Sequence, residues 1–345
     1  MASPKASIIV LNWNGKHYLK DCLSSIAEIP REPSFECIMV DNGSTDGSVE
    51  YVEKNFKWVR VVRSGENLGY AGGNNLGARE AKGEFLIFLN YDTRVEKNWL
   101  SGLLDAFKEN RIAAVQSKVL FDNDSSKINT FGTDTHVTGL TVCKHIFKED
   151  KGLEKTEEVS GFSGSSVMIP KRLFFELGGF DDDFFLYLED TDFGWRATLA
   201  GHRILATPKS IIYHKYKLKM NPKIFMYNER NRQVMILKNY SAKSLALLFP
   251  SLFLMEIFTH AYALYLGPSF LLAKLSGDFW VLGTLPRISE KRSIAQKLRK
   301  ISDKKILEKF VFNLPIYRAP WFAKYFELPF NLLFRANYSL AILFS

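Results

Sequence analysis

Along the first ninety residues, apolar positions come in short, mostly continuous runs separated by stretches where they recur at intervals. "ASIIVLN" (6–12), "FECIMVDNGS" (35–44), "VRVVRS" (59–64) and "EFLIFLNYD" (84–92) are such runs, each closed by polar residues. Between them, "HYLKDCLSSIAEI" places Leu19, Leu23 and Ile26 at helical spacing, and "SVEYVEKNF" and "NNLGAREAKG" read as two further helices, the last closed by Gly83. Strands that are apolar throughout are buried on both faces, and helices between them predict a mostly parallel sheet covered on both sides. In such sheets ligands bind beyond the C-terminal ends of the strands.

Those ends are polar. The first strand exits into Asn12-Trp13-Asn14-Gly15, the second into Asp41-Asn42-Gly43-Ser44 and the fourth into Asn90-Tyr91-Asp92. A turn needs Gly or Asn, and a single Asp also forms turns. Carboxylates at two parallel-strand exits exceed that need. Gly69, Gly72 and Gly73 in "NLGYAGGNN", with Asn74 beside them, precede a helix whose free N–H groups favour anions. Neither GxGxxG after the first strand nor GxxxxGK[ST] anywhere is present, which excludes the dinucleotide and P-loop motifs.

Further on, residues 100–160 read as a helix followed by irregular, loop-rich chain. "GFSGSSVMIPKRLFFELGGF" predicts a strand and a helix, and "GHRILATPKSIIYHK" a strand pair ending at His214. Between them stands "FFLYLEDTDFGWR" (184–196), an aromatic run that ends in three carboxylates, Glu189, Asp190 and Asp192. Acids favour a helix start, and Asp192 can pair with Arg196 one turn on. Glu189 and Asp190 are left without a structural task. Asp92, at the end of an apolar strand, needs a partner, and a divalent cation bridging a diphosphate would be one, with His214 as a second ligand.

Charge changes the picture for the last third. Residues 236–345 hold 15 Lys/Arg against 6 Asp/Glu and so carry the whole net charge of +9. The same stretch is the most apolar: Leu245 to Leu266 is nearly continuous apolar sequence, broken by Pro250, Glu256 and His260, and a second run follows Gly267-Pro268. A span needs about 20 predominantly apolar residues, and a mid-bilayer charge such as Glu256 costs about 2.5 kcal/mol or more. Two helices lying in or dipping into an anionic membrane surface are expected, followed by a basic helix in "RISEKRSIAQKLRKISDKK". A soluble helical hairpin docked on the sheet is the other reading. The neutral first 235 residues offer no groove for nucleic acid. Cys22, Cys37 and Cys143 match neither a disulfide framework nor a metal spacing, which points to a reducing compartment. The apolar run Ile8 to Leu11 is too short for a signal peptide.

Taken in order, "SIIVLNWNG", "VDNGSTDGS", "NLGYAGGNN", "FLNYDT", "GGFDDDFFLYLEDTDFGWR" and "YHK" resemble the family 2 glycosyltransferases of GT-A fold, with the third motif similar to the rhamnosyltransferase-like branch. The resemblance covers about residues 6–235 and implies a Rossmann-like α/β domain at 1–235 followed by a helical, membrane-associated region at 236–345. It implies that Asp41, with the backbone around Asn12 and Trp13, contacts the base or ribose of a nucleotide-diphosphate sugar, near Gly69, Gly73 and Asn74. It implies that Asp92 and His214 hold Mg2+ or Mn2+ on the diphosphate, although Asn90 replaces the first acid of the family's DxD motif. Asp190 matches the family's general base, with Glu189 orienting the acceptor or the base, and Arg230 or Arg232 in "NERNR" offsetting charge on the leaving group. The expectation is an inverting transferase using dTDP-rhamnose or a UDP-sugar. Its acceptor would be a lipid-linked or envelope glycan at the cytoplasmic membrane face. A non-catalytic nucleotide-sugar-binding protein is the alternative.

Overall fold

The unbroken apolar runs form strands and the spaced ones form helices. In this computed structural model, which describes residues 3–216, 220–314 and 323–344, the chain divides into two compact units. Met1–Thr133, Cys143–Ala197 and His202–Leu218 make the first, and Asp134–Val142, Thr198–Gly201 and Lys219–Ser345 the second. In chain order the elements are β1 (Ala6–Asn12), α1 (Lys16–Ala27), β2 (Phe35–Asp41), α2 (Ser48–Asn55), β3 (Val59–Arg63), α3 (Gly69–Glu80), β4 (Phe85–Asn90) and β5 (Thr93–Val95). Then come α4 (Trp99–Ala106), β6 (Ile112–Phe121), β7 (Ile128–Thr130), β8 (Thr133–Thr135), β9 (Thr141–Cys143), β10 (Glu157–Glu158), β11 (Ser166–Pro170), α5 (Lys171–Glu176), α6 (Glu189–Leu199) and β12 (Arg203–His214). The rest is helical: α7 (Pro222–Asn239), α8 (Ala242–Leu266), α9 (Pro268–Gly283), α10 (Leu285–Lys297), α11 (Asp303–Leu307) and α12 (Ala323–Phe344).

The main sheet of the first unit runs β10-β12-β6-β11-β4-β1-β2-β3. β1 pairs in parallel with β2 and β4, β2 with β3, and β12 with β6, while β11 enters antiparallel between β4 and β6. Alternate side chains feed opposite faces. Ile8 and Val10 pack with Leu19 and Leu23 of α1 and Trp99 and Leu103 of α4. On the other face, α3 lies so close that a Cβ on Gly73 would stand 2.4 Å from Leu11, and one on Gly77 2.6 Å from Ile9. Phe88, Phe174, Phe180 and Phe193 cluster under α5 and α6 on that face.

Three expectations are corrected. Residues 100–160 are not irregular throughout, because β6 is a fully buried strand inside the sheet. Gln116, Ser117 and Lys118 interrupt its apolar run, and each finds a partner. Gln116 accepts the Ser163 N–H at 2.8 Å, Ser117 bonds Ser166 and Ser210 at 2.8 Å, and Lys118 pairs with Asp150 at 2.8 Å. The predicted strand pair ending at His214 is one strand, β12, whose register slips between Thr207 and Ile211 around Pro208. The boundary expected after residue 235 falls inside α7, all of which belongs to the second unit.

The second unit is built around buried charge. Lys274 is fully buried and reaches Glu256 and Asp278 at 2.7 Å and Glu229 at 3.5 Å. Arg232 pairs with Glu229 at 2.8 Å and Glu256 at 2.6 Å. Large apolar side chains lie outside instead: Phe249, Phe253, Ile257 and Leu264 of α8 are all more than half exposed, while Ser244, Ser251, Thr259 and Ala263 of the same helix are buried.

Candidate active site

The parallel strands all end at one edge of the first unit. Asn12 stands in register with Asp41, and Leu11 with Asn90. β11 runs the other way, so its start, Ser166, lies beside Leu89 at the same edge. The backbone just before it is joined there, where the Asn90 N–H donates to the Ser165 carbonyl at 3.1 Å. Topology thus brings the exits of β1, β2 and β4 and the entry of β11 together.

β4 does not simply stop. The Thr93 hydroxyl donates to the Asn90 carbonyl at 2.6 Å, turning the chain at Tyr91-Asp92, and β5 then pairs antiparallel with the end of β12. Thr93 is in register with His214, and the Lys215 N–H closes on the Asp92 carbonyl at 2.9 Å. As a result His214 Nε2 faces Asp92 Oδ1 at 3.2 Å. On its other side, His214 Nδ1 lies 3.1 Å from Asn129 Oδ1 on β7. With the amide oxygen facing Nδ1, this contact is a hydrogen bond when Nδ1 carries the ring proton, the tautomer that turns the Nε2 lone pair toward the carboxylate. Two acceptors facing each other suit a cation between them. Among the described residues no group of three or more His, Cys, Asp or Glu is arranged to hold a metal. The donor set therefore fits a divalent ion that takes its remaining ligands from a diphosphate and water.

The three carboxylates of "EDTD" have three different fates. Asp192 is locked on Arg196 at 2.8 Å, as its spacing predicts, and the same guanidinium donates to the Leu177 and Gly179 carbonyls. Among the described residues, Asp190 accepts from neutral donors: Gly164 N–H at 2.9 Å, Thr191 N–H at 2.7 Å and the Thr191 hydroxyl at 3.3 Å. Three bonds leave about one lone-pair direction of the carboxylate open. Desolvation raises the Asp190 pKa, and those hydrogen bonds pull it back. Glu189 is buried, with Oε2 lacking a hydrogen-bond partner among the described residues. Burial first, and the charge of Asp190 second, hold its carboxyl well above the usual carboxylate range.

Gly164 is what ties Asp190 to the strand-end edge. Its carbonyl accepts from the Tyr70 hydroxyl at 2.7 Å, and its neighbour Ser165 meets Asn90. Sequence reasoning missed Gly164, Thr191 and Asn129. Gly-Ser-rich loops and lone amides look like ordinary turns, although Thr191 directly after the acid pair was a visible signal. The approach to Glu189 is unusual too: Phe185, Tyr187 and Leu188 have φ of 60°, 70° and 66°. Such values are rare in large side chains and concentrate where a site imposes them.

The glycine segment is a correction. Gly69, Gly73 and Asn74 lie within α3, not before it, and the N–H groups of Tyr70 and Ala71 donate to the Phe185 carbonyl, at 2.5 and 3.3 Å. The helix start is thus capped by protein. Gly69 has φ +71°, and a Cβ there would come 2.2 Å from that carbonyl oxygen. Asn74 is buried and donates to Tyr70. The first turn of α3 thus spends the Tyr70 and Ala71 N–H groups on Phe185 instead of offering them to an anion.

Asn12 is also committed. Its amide bonds the Ser44 and Ser48 hydroxyls at 3.1 and 2.9 Å and accepts from Gly15 N–H, shaping the loops for its neighbours. Trp13 is half exposed at the strand end, and Asp41 is buried with Oδ1 accepting from Ser44 N–H at 3.2 Å. Arg230 and Arg232 belong to the second unit. The Arg230 guanidinium lies over the rings of Trp280 and Tyr227, 4.3 and 5.0 Å from their centroids. Arg232 is held by its two carboxylates and the Thr138 carbonyl, so its charge is already balanced.

Comparison with known proteins bears on residues 7–178, which match the sequence model of Glycosyl transferase family 2. Relatives include the O-antigen biosynthesis protein RfbC of Myxococcus xanthus, 28% identical over 224 residues, covering 61% of this chain and 17% of that protein. An N-acetylglucosaminyl-diphospho-decaprenol L-rhamnosyltransferase of Mycobacterium tuberculosis is 25% identical over 233 residues, covering 60% of this chain and 75% of that one. The chain thus spans well under half the length of the first two curated relatives it matches, 17% and 34%. A crystal structure of GalNAc-T7 with UDP, GalNAc and Mn2+ superposes with TM-score 0.67 at 17% identity, over 89% of this chain and 56% of that one. The shared fold is GT-A.

Proposed function

This chain belongs to glycosyl transferase family 2, and from that premise we propose an inverting glycosyltransferase that moves a sugar from a nucleotide-diphosphate sugar to a hydroxyl acceptor. The observation that carries the reading is Asp190, a carboxylate held by neutral donors alone at the strand-end edge that also bears Asp92 and His214. An ion-paired acid cannot readily accept a proton; this one has an open lone pair and a raised proton affinity.

In the reaction, the acceptor oxygen forms its bond to C1 as the bond from C1 to the phosphate oxygen breaks. Asp190 takes the acceptor's proton, and the electron pair leaves with the nucleoside diphosphate. A single base opposite the leaving group means one displacement and inversion at C1. Asp92 and His214 would hold Mg2+ or Mn2+, which supplies charge compensation on the diphosphate when bound. Asp41 and exposed Trp13 flank the strand exits where base and ribose would lie. Glu189, whose carboxyl burial holds well above the usual range, stands beside Asp190 to orient the acceptor or the base.

The donor reading of dTDP-rhamnose or a UDP-sugar is supported by the rhamnosyltransferase among the relatives, and the lipid-linked or envelope-glycan acceptor by the same kinship. The second unit is assigned to the cytoplasmic face of a membrane. α8 is long and apolar enough to cross one, with 28% of its most apolar window buried; it buries Ser244, Ser251, Thr259 and Ala263 together with Leu248 and Met255, and leaves Phe249, Phe253, Ile257 and Leu264 on the outside. The basic residues of α10 suit anionic headgroups. Asp190→Asn tests the chemistry: sugar transfer is expected to fall about 10²–10⁴-fold while donor binding persists. Near-normal transfer would remove the base.

A further inference from the structure

The imidazole of His214 is oriented from behind by a residue with no other evident duty. Asn129 sits on β7, which pairs with β6 through Leu120↔Ile128 and Val119↔Thr130, while His214 pairs with Phe121 on the opposite side of β6. The two side chains meet at 3.1 Å. Asn129 is buried, and among the described residues its Nδ2 has no hydrogen-bond partner. The amide therefore leaves a buried donor unsatisfied in order to present its oxygen to His214, an arrangement that ordinarily costs free energy. The reverse orientation would donate to Nδ1, put the ring proton on Nε2 and direct that proton at Asp92 3.2 Å away. That alternative pairs Nε2–H with Asp92 without a cation, and so blocks the nitrogen that a cation needs.

We propose that Asn129 is a positioning residue that fixes His214 in the Nδ1–H tautomer, so that the Nε2 lone pair and the Asp92 carboxylate stand ready for a divalent cation. This rests on the reading of Asp92 and His214 as the cation pair. An outer partner of this kind sets the ring's tautomer and direction, and its loss weakens metal affinity by about 10–100-fold.

The test uses the full chain and Mn2+ alone, titrated by the EPR signal of the free ion. Asn129→Leu is expected to bind Mn2+ at least tenfold more weakly than wild type. Asn129→Asp, whose carboxylate also accepts from Nδ1–H, is expected to bind as tightly or better. Equal affinity in wild type and Asn129→Leu overturns the proposal, provided His214→Ala is weakened. If His214→Ala is unaffected too, it is the cation-pair reading that fails. Nitrogen-15 NMR of the imidazole in the metal-free wild type gives an arm independent of any variant's folding. A protonated Nδ1 is expected, and a protonated Nε2 would overturn the assignment.

Discussion

The two units put charge in opposite places. In the first, the interior is mostly apolar, its buried Asp192 is closed on Arg196, and the acids that matter lie at the strand-end edge with bonding capacity to spare: Asp190 on neutral donors, Glu189 with an oxygen unpartnered among the described residues, Asp92 facing a ring nitrogen. In the second, Lys274, Arg232, Glu229 and Glu256 are tied to one another, and large apolar residues line the outside. Charge that is fully paired holds a structure together. Charge left with an open valence at an edge is available for chemistry. The contrast separates Arg232, whose sequence context matches a donor-binding role, from Asp190, whose context is no more distinctive.

The largest effect should come from breaking the paired centre. Lys274→Met leaves Glu256, Asp278 and Glu229 without their shared cation, and removing one partner of a buried pair costs about 3–5 kcal/mol. Thermal denaturation should show this as loss of the helical unit's transition, partly restored by adding Glu256→Leu and Asp278→Leu. A wild-type melt would mean that the buried charges carry no structural weight. Next in size, Phe253→Asp on the outer face should weaken flotation with anionic phosphatidylglycerol vesicles about tenfold or more, as expected from losing about 1.5–3 kcal/mol of apolar burial. Stability in detergent should barely move. The reverse result, lower stability with unchanged flotation, would show that protein and not lipid covers that face.

The smallest effect sharpens the edge. Asp190 must be deprotonated to accept a proton, so kcat/KM should fall as pH drops through its pKa, which desolvation raises above the ordinary value of about 3.9. Thr191→Val removes one of the hydrogen bonds that lower this pKa, and should move the acid limb to still higher pH, while Thr191→Ser should leave it in place. An acid limb at the ordinary aspartate position in all three proteins would contradict the desolvation of Asp190.

β1 to β4 were legible because each is dominated by apolar residues, even where Glu36 and Arg60 break β2 and β3, and so were their polar exits. β6 was not, because Gln116, Ser117 and Lys118 stand in the middle of a buried strand, and only partners far along the chain explain their tolerance there. The acid pair at 189–190 stood out as charge unaccounted for by local rules. Its holders did not: Gly164 acts through a backbone N–H, which no residue code announces. The glycines of α3 misled for a related reason. Glycine before a helix and glycine packed under one read alike, and the carbonyl that takes the helix's N–H groups belongs to Phe185, over a hundred positions away. Positive φ at Phe185, Tyr187 and Leu188 is invisible in residues that rarely adopt it.

The clasp between β5 and the end of β12 has a bearing on biosynthesis. The half of the cation pair on Asp92 emerges early from the ribosome, whereas His214 arrives with the final strand of its unit, and the Lys215–Asp92 and Asp122–His214 backbone bonds close only then. Such distant pairings are slow to form. On the proposed reading, a nascent chain lacking that strand would have no second ligand to offer, and competence would begin when the sheet closes.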